Sequence, residues 1–217
     1  MKKITPFTIM FFFCIVFAYA QEEDIFSYPL SPRTKESFRA VCAQISKNPV
    51  VRGNFNQEKK ITNLERSIVS SGEFIIASDM GMVWDTLKPF SSTLVLGGDY
   101  MIQSRRGGQR KVIDAKGNET FLRMAQVLSA VFSGNAENLE NNFYVFYKSD
   151  NSSWEIGLKP LDMTINMFAQ RIIITGDTAI KSIFLIEKNN DTIKYTLSDH
   201  NVSGALTENE KKYFKLP

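Results

Sequence analysis

The sequence predicts a mainly β, single-domain protein with a few helices, and three observations predict it. From residue 50 onward, short runs of alternating apolar and polar residues are bounded by Gly, Asn, Asp or Pro and joined by tight connections, the pattern of antiparallel hairpins. Two stretches, starting near Thr34 and Asn118, change to helical spacing. No repeat, low-complexity tract or linker divides the 217 residues, and about 200 of them are enough for one domain with a sizeable core.

The chain opens with Met1-Lys2-Lys3, an apolar run from Phe7 to Phe17, and Ala18-Tyr19-Ala20 in the small-x-small form cut by signal peptidase. Residues 1–20 are therefore expected to be a signal peptide cleaved after Ala20. Cys14 sits inside the apolar run behind Phe11-Phe12-Phe13, without the small residue a lipid-attachment site places before its cysteine. Residues 21–33, with Pro29 and Pro32, read as an extended lead-in.

Thr34 is positioned as an N-cap, and Phe38, Val41, Cys42 and Ile45 follow at i, i+3, i+4 and i+7, one apolar stripe of a helix that Asn48-Pro49 ends. Strands are expected over Arg52 to Ile61, Ile68 to Ala77, Met80 to Leu87, Ser92 to Gly97, Tyr100 to Arg105 and Lys111 to Asp114. Between Asn118 and Gly134, Phe121, Met124, Ala125, Leu128 and Phe132 share one helical face. Strands resume at Asn142 to Ser149, Trp154 to Lys159, Phe168 to Thr175, Ala179 to Lys188 and Thr192 to Leu197, with Gly176-Asp177 and Asn189-Asn190-Asp191 as turns. The chain closes through Leu206 to Phe214.

Composition excludes several classes of function. Lys2 and Lys3 lie in the signal, leaving 24 basic against 23 acidic side chains, a balance that gives no reason to expect nucleic acid as partner. Cys42 has no partner cysteine in the mature chain, so the fold relies on packing. The single histidine, His200, has no second histidine or cysteine near it, and no nucleophile elbow, zinc-protease or phosphate-loop motif is present. Arg105, Arg106, Arg110 and Lys111 cluster at a hairpin tip, either a solvated turn or a contact with an acidic partner or anionic lipid.

Phe55-x-Gln57, Gly72-x-Phe74, Trp84, Pro89, Leu94-Val95-Leu96-Gly97-Gly98, Leu158-x-Pro160 and Phe214-x-x-Pro217 occur in one order. That series resembles the periplasmic carrier of outer-membrane lipoproteins, the LolA family. The resemblance runs over residues 34–217 and implies an unclosed antiparallel half-barrel with helices covering an apolar cavity as a lid. It implies a periplasmic, monomeric carrier without cofactor or covalent chemistry, which takes acylated cargo from an inner-membrane transporter to an outer-membrane acceptor. On this reading Phe55, Phe74, Ile76, Met82, Trp84, Leu94 and Leu96 line the cavity. Phe38, Val41 and Ile45 belong to one lid helix and Phe121, Met124, Leu128 and Phe132 to the other.

Alternation places Phe74 and Ile76 opposite Glu73, and Met82 and Trp84 opposite Val83 and Asp85, which fits either a lined cavity or an ordinary core. One departure from the family pattern stands out. Where lipoprotein carriers tend to hold an arginine that closes the lid, this chain has Ser78 followed by Asp79. The segments Glu119 to Leu139 and Trp154 to Pro160 are similar to those of divergent members, so another envelope lipid is an alternative cargo. A lipid-modifying hydrolase is the alternative from a different class.

Overall fold

In the computed structural model the described residues are 24–64, 66–105, 108–114, 129–167, 169–202 and 204–216. The expected signal peptide with Cys14, the lid positions Phe121, Met124 and Leu128, and Arg106 lie outside them. Helix α1 (Lys35–Ser46) leads into strands β1 (Val50–Ile61), β2 (Arg66–Ala77), β3 (Gly81–Lys88), β4 (Ser92–Leu96), β5 (Tyr100–Arg105) and β6 (Lys111–Asp114). A helical segment at 129–133 and helix α2 (Ala136–Asn142) precede β7 (Phe143–Ser149) and β8 (Trp154–Pro160). Then come α3 (Met163–Asn166), β9 (Arg171–Gly176), β10 (Ile180–Ile186), β11 (Thr192–Asn201) and α4 (Glu208–Lys211).

All eleven strands form one antiparallel sheet in the order β6-β5-β4-β3-β2-β1-β11-β10-β9-β8-β7. Each half is a meander, as short connections dictate. The halves are joined where β1 pairs with β11, with Phe55 opposite Leu197. The sheet is not closed, and β6 and β7 are its edges. The chain leaves one edge at Asp114 and re-enters at the other at Phe143. Of the stretch between, the described residues Ala130, Val131 and Phe132 are buried on one face, in the main core with Phe38 and Cys42 of α1. Gly134 ends the helical segment in the left-handed region (φ 61°), and a Cβ there would lie 2.4 Å from the Cys42 carbonyl oxygen, so only glycine lets it seat against α1. An ion pair of 2.5 Å between Lys35 and Glu140 joins α1 to α2.

The opposite face is covered by the two ends of the chain. Leu206 and Phe214 pack on Val83, Val95 and Ile102, the partners in alternation of the main-core residues. Arg52 fastens this tail by donating from Nε and Nη2 to the Glu210 carboxylate at 2.5 and 2.8 Å. At the other end of the sheet the N-terminal residues are held more closely than an extended lead-in would be. Ile25–Ser27 is a turn of 3-10 helix with Ile25 buried. The Leu30 amide donates to the Val145 carbonyl and the Tyr147 amide to the Tyr28 carbonyl, which covers the edge of β7.

Most expected strands fall within a few residues of those observed, and β5 and β6 agree at both ends. Two local expectations differ. Thr34 stands at the N-cap of α1, but its hydroxyl bonds the Ser31 amide and carbonyl instead of capping, because a turn at 32–34 brings Ser31 within reach. Of the helix expected between Asn118 and Gly134, residues 118–128 lie outside the described residues, 129–133 are helical, and Gly134 ends them where expected. The strand expected from Phe168 starts at Arg171, since Asp162 caps a short helix by accepting from Thr164 and Ile165.

Candidate functional site

Strand register gathers most of the residues singled out in the sequence. Trp84 pairs with Phe74 on one side and Leu94 on the other, and Met82 pairs with Ile76 and Leu96. Both rungs therefore point to the face crossed by the helical segment. Trp84 is the hub of an aromatic group: its ring stacks on Phe55 at 4.2 Å, meets Tyr195 edge-on at 5.3 Å and lies 6.3 Å from Phe132.

Above this group is a cavity of about 230 Å³ whose wall includes Met82, Trp84, Leu94 and Phe132. Its other half comes from the second meander, through Ile172, Ile183, Leu185, Ile193 and Tyr195, with Ile165 and Ala169 from the β8–β9 connection. These residues were not singled out in the sequence, although each strand carries the same alternating signal: Ile172 and Ile174, Ile183 and Leu185, Ile193 and Tyr195. No motif marks them, and only the β1–β11 pairing brings them opposite Trp84.

The remaining expected cavity residues divide. Phe74 and Ile76 line a second cavity of about 330 Å³, which also reaches Ile45 of α1. Ile76, Met82 and Leu96 border a third of about 150 Å³. Phe55 is fully buried beneath Trp84 and lines none of the three. Of the lid positions, Phe132 borders all three cavities, whereas Phe38 is buried in the core and Val41 packs against it. Ser78 is exposed in the β2–β3 turn and faces Ser129 and Ser133 across the smallest cavity. In the basic cluster Arg105 and Lys111 are exposed, and Arg110 donates to the Tyr213 carbonyl at 2.5 Å, so part of this group holds the C-terminal tail.

The electrostatics suit a dry cavity. Glu187 is the single charged residue among the described residues lining the first cavity, and Lys59 neutralises it with contacts of 3.1 and 2.9 Å. Burial, with Glu187 adding to it, pushes the Tyr195 phenol up to about 12. The Cys42 thiol is likewise pushed up to about 12 by burial and then by Glu140, which keeps it protonated and unreactive. Burial lowers the pKa of His200, which stands edge-on to Phe74 at 6.0 Å at the border of the second cavity. Among the described residues no three His, Cys, Asp or Glu side chains are grouped to hold a metal.

The first cavity reaches Leu94, Glu187 and Ile193, toward the end of the sheet that carries the β1–β2, β3–β4 and β10–β11 turns. Leu64 and Phe90 on two of these turns are exposed, as are Met163 at the start of α3 and Met167 at its C-cap. Asp191, the one buried charged residue among the described residues, ties two of the turns together: its carboxylate accepts from the Thr62 amide at 2.9 Å and from Asn189 at 2.7 Å. No helix among the described residues is long and apolar enough to cross a membrane.

Comparison with known proteins adds a family. No curated protein matches the chain. Among solved structures it is similar to a LolA superfamily protein from Nitrosomonas europaea, with 10% identity, a TM-score of 0.48, and coverage of 84% of this chain and 97% of that one. It is also similar to the lipoprotein LppX from Mycobacterium tuberculosis, with 11% identity, a TM-score of 0.43, and coverage of 80% and 100%. The sequence pattern of the family described as outer membrane lipoprotein carrier protein LolA matches residues 46–215, from the end of α1 to the end of the tail, and the chain belongs to that family.

Proposed function

We propose that this protein is an exported carrier that holds the acyl chains of a lipoprotein in the first cavity and moves them across the periplasm from the inner to the outer membrane. The observation that carries this reading is the apolar cavity between the two halves of the sheet, with its single acid neutralised by Lys59. Each methylene exposed to water costs about 0.8 kcal/mol, so a chain of roughly 15 costs about 12 kcal/mol, and a dry cavity removes the share of the methylenes it encloses. Release at the acceptor requires the cavity to hold the chain no better than a membrane does. Met82 in its wall suits such moderate binding, because a thioether fills irregular gaps without demanding one shape.

Exposed Leu64 and Phe90, on turns at the end of the sheet toward which the first cavity lies, support transfer at that end, where an inner-membrane transporter and an outer-membrane acceptor would meet the carrier. Catalysis is not part of the proposal, since Cys42 is held as a thiol and His200 has its charged form disfavoured by burial. A second reading, in which the cargo is another acylated envelope lipid, is favoured by one observation: Ser78 stands where lipoprotein carriers tend to hold the lid-closing arginine.

The test is to purify the mature protein from cells under mild conditions and identify what accompanies it by mass spectrometry. Acylated lipoproteins are expected. A free phospholipid or glycolipid in their place would move the conclusion to the second reading. Recovery without any acylated molecule, together with failure to bind added fatty acid, would overturn both.

A further inference from the structure

The three cavities have one described side chain in common, that of Phe132. The first lies toward the end of the sheet with the exposed apolar turns. The second lies toward the other end, between α1 and the start of β10, with Ile45, Ile76, Ile180 and Leu197 in its wall and His200 at its border. Ile76 and Met82, paired across β2 and β3, continue the apolar wall from one cavity to the next. The side chain of Phe132 thus stands where the apolar residues of the first and second cavities meet.

We infer that the acyl site has two chambers, with Phe132 as the partition that sets the length of chain accepted. This rests on the carrier reading and deepens it. At about 230 Å³ the first chamber lies below the roughly 300–1,000 Å³ of sites that enclose a drug-sized ligand, so it takes a short chain or part of a long one. The second chamber, at about 330 Å³, is the larger, and its apolar residues, set beside the polar Gln44, Asn48, Thr178 and His200, are of little use to a cargo that stops at Phe132. A longer chain gains from it only when the ring swings aside. The side chain has to move rather than its backbone, because Gly134 seats the helical segment against the Cys42 carbonyl with no room for even a methyl group.

The experiment uses the mature protein and saturated fatty acids from octanoic to stearic acid, competing with a dansyl-labelled fatty acid. In the unaltered protein affinity should rise about fourfold per methylene and then flatten where the chain meets Phe132. Phe132→Leu, which keeps an apolar side chain and so preserves folding, should move the flattening to longer acids and leave the shortest unchanged. Adding Ala179→Trp to fill the second chamber should abolish that gain, again without affecting the short acids. A gain or loss of equal factor at every length, or a gain that survives Ala179→Trp, would overturn the partition while leaving the carrier reading intact. If the unaltered protein binds none of the acids, the carrier reading fails, and the two chambers with it.

Discussion

Replacing Met82 with glutamate places a carboxyl group at a position only 7% exposed, between Ile76 and Leu96, against the apolar first cavity and beside the third, whose border also holds Ser78, Asp79, Ser129 and Ser133. Among the described residues the only charged group lining the first cavity is another acid, Glu187, whose Lys59 partner is already engaged with it. Burial of this kind raises a glutamate pKa by about 3 units, from about 4.3 to about 7, which corresponds to about 4 kcal/mol. The sign follows from which form is penalised. Below about pH 4.3 the new carboxyl is neutral in both the folded and unfolded chain and the penalty is absent; it grows as pH rises and is complete above about pH 7.

For a domain of this size 4 kcal/mol lowers Tm by about 8 to 16 °C. The variant should therefore melt close to the parent at about pH 4 and about 8 to 16 °C below it at about pH 8, followed by circular dichroism. Binding of a dansyl-labelled fatty acid should fall at least about tenfold at the higher pH, because the chain would have to lie against an unpaired charge. A Tm difference that does not change with pH would refute the reasoning, since it would mean that the carboxyl is solvated and Met82 is not at a closed wall. Unchanged binding would refute the placement of the acyl chain.

Arg52→Ala should lower stability by about 1.5 kcal/mol, the lower end for a charge-assisted bond because the pair is partly exposed. Arg52 holds the Glu210 carboxyl at about 2, so the contribution is present above about pH 4.5 and lost as pH falls toward 2. The gap between variant and parent in urea midpoint should close over that window, and a gap independent of pH would assign the effect instead to the bond that Arg52 Nη2 donates to the Ala205 carbonyl at 3.0 Å. Cys42 should resist a thiol reagent at about pH 8 until the protein is unfolded in urea, and labelling of the native protein would show that its pocket opens readily. Ser78→Arg would set a guanidinium opposite Ser129 and Ser133 and should slow fatty-acid exchange by about tenfold. Unchanged exchange rates in stopped-flow fluorescence would remove Ser78 from the lid.

The sequence by itself determined the strands, their antiparallel hairpins and which residues share a side of each strand. These are local properties: a turn needs its Gly, Asn or Pro within a few residues, and alternation fixes that Phe74 and Ile76 face away from Glu73 wherever the strand lies. Alternation did not decide which face would be covered by what. On β3 to β5 both faces are apolar, with Met82, Leu96 and Met101 on one and Val83, Val95 and Ile102 on the other. Tertiary structure settled this by laying the crossing segment on the first face and the tail from Leu206 to Phe214 on the second. The far wall of the cavity, Ile172, Ile183, Leu185, Ile193 and Tyr195, was present in the pattern but unplaced, because its position opposite Trp84 depends on the pairing of β1 with β11 across most of the chain. The role of Phe132 was equally hidden. Helical spacing put it on an apolar stripe, but only the path of the chain from one sheet edge to the other brings its ring between three cavities, and such a path is fixed by packing against distant residues rather than by neighbours in sequence.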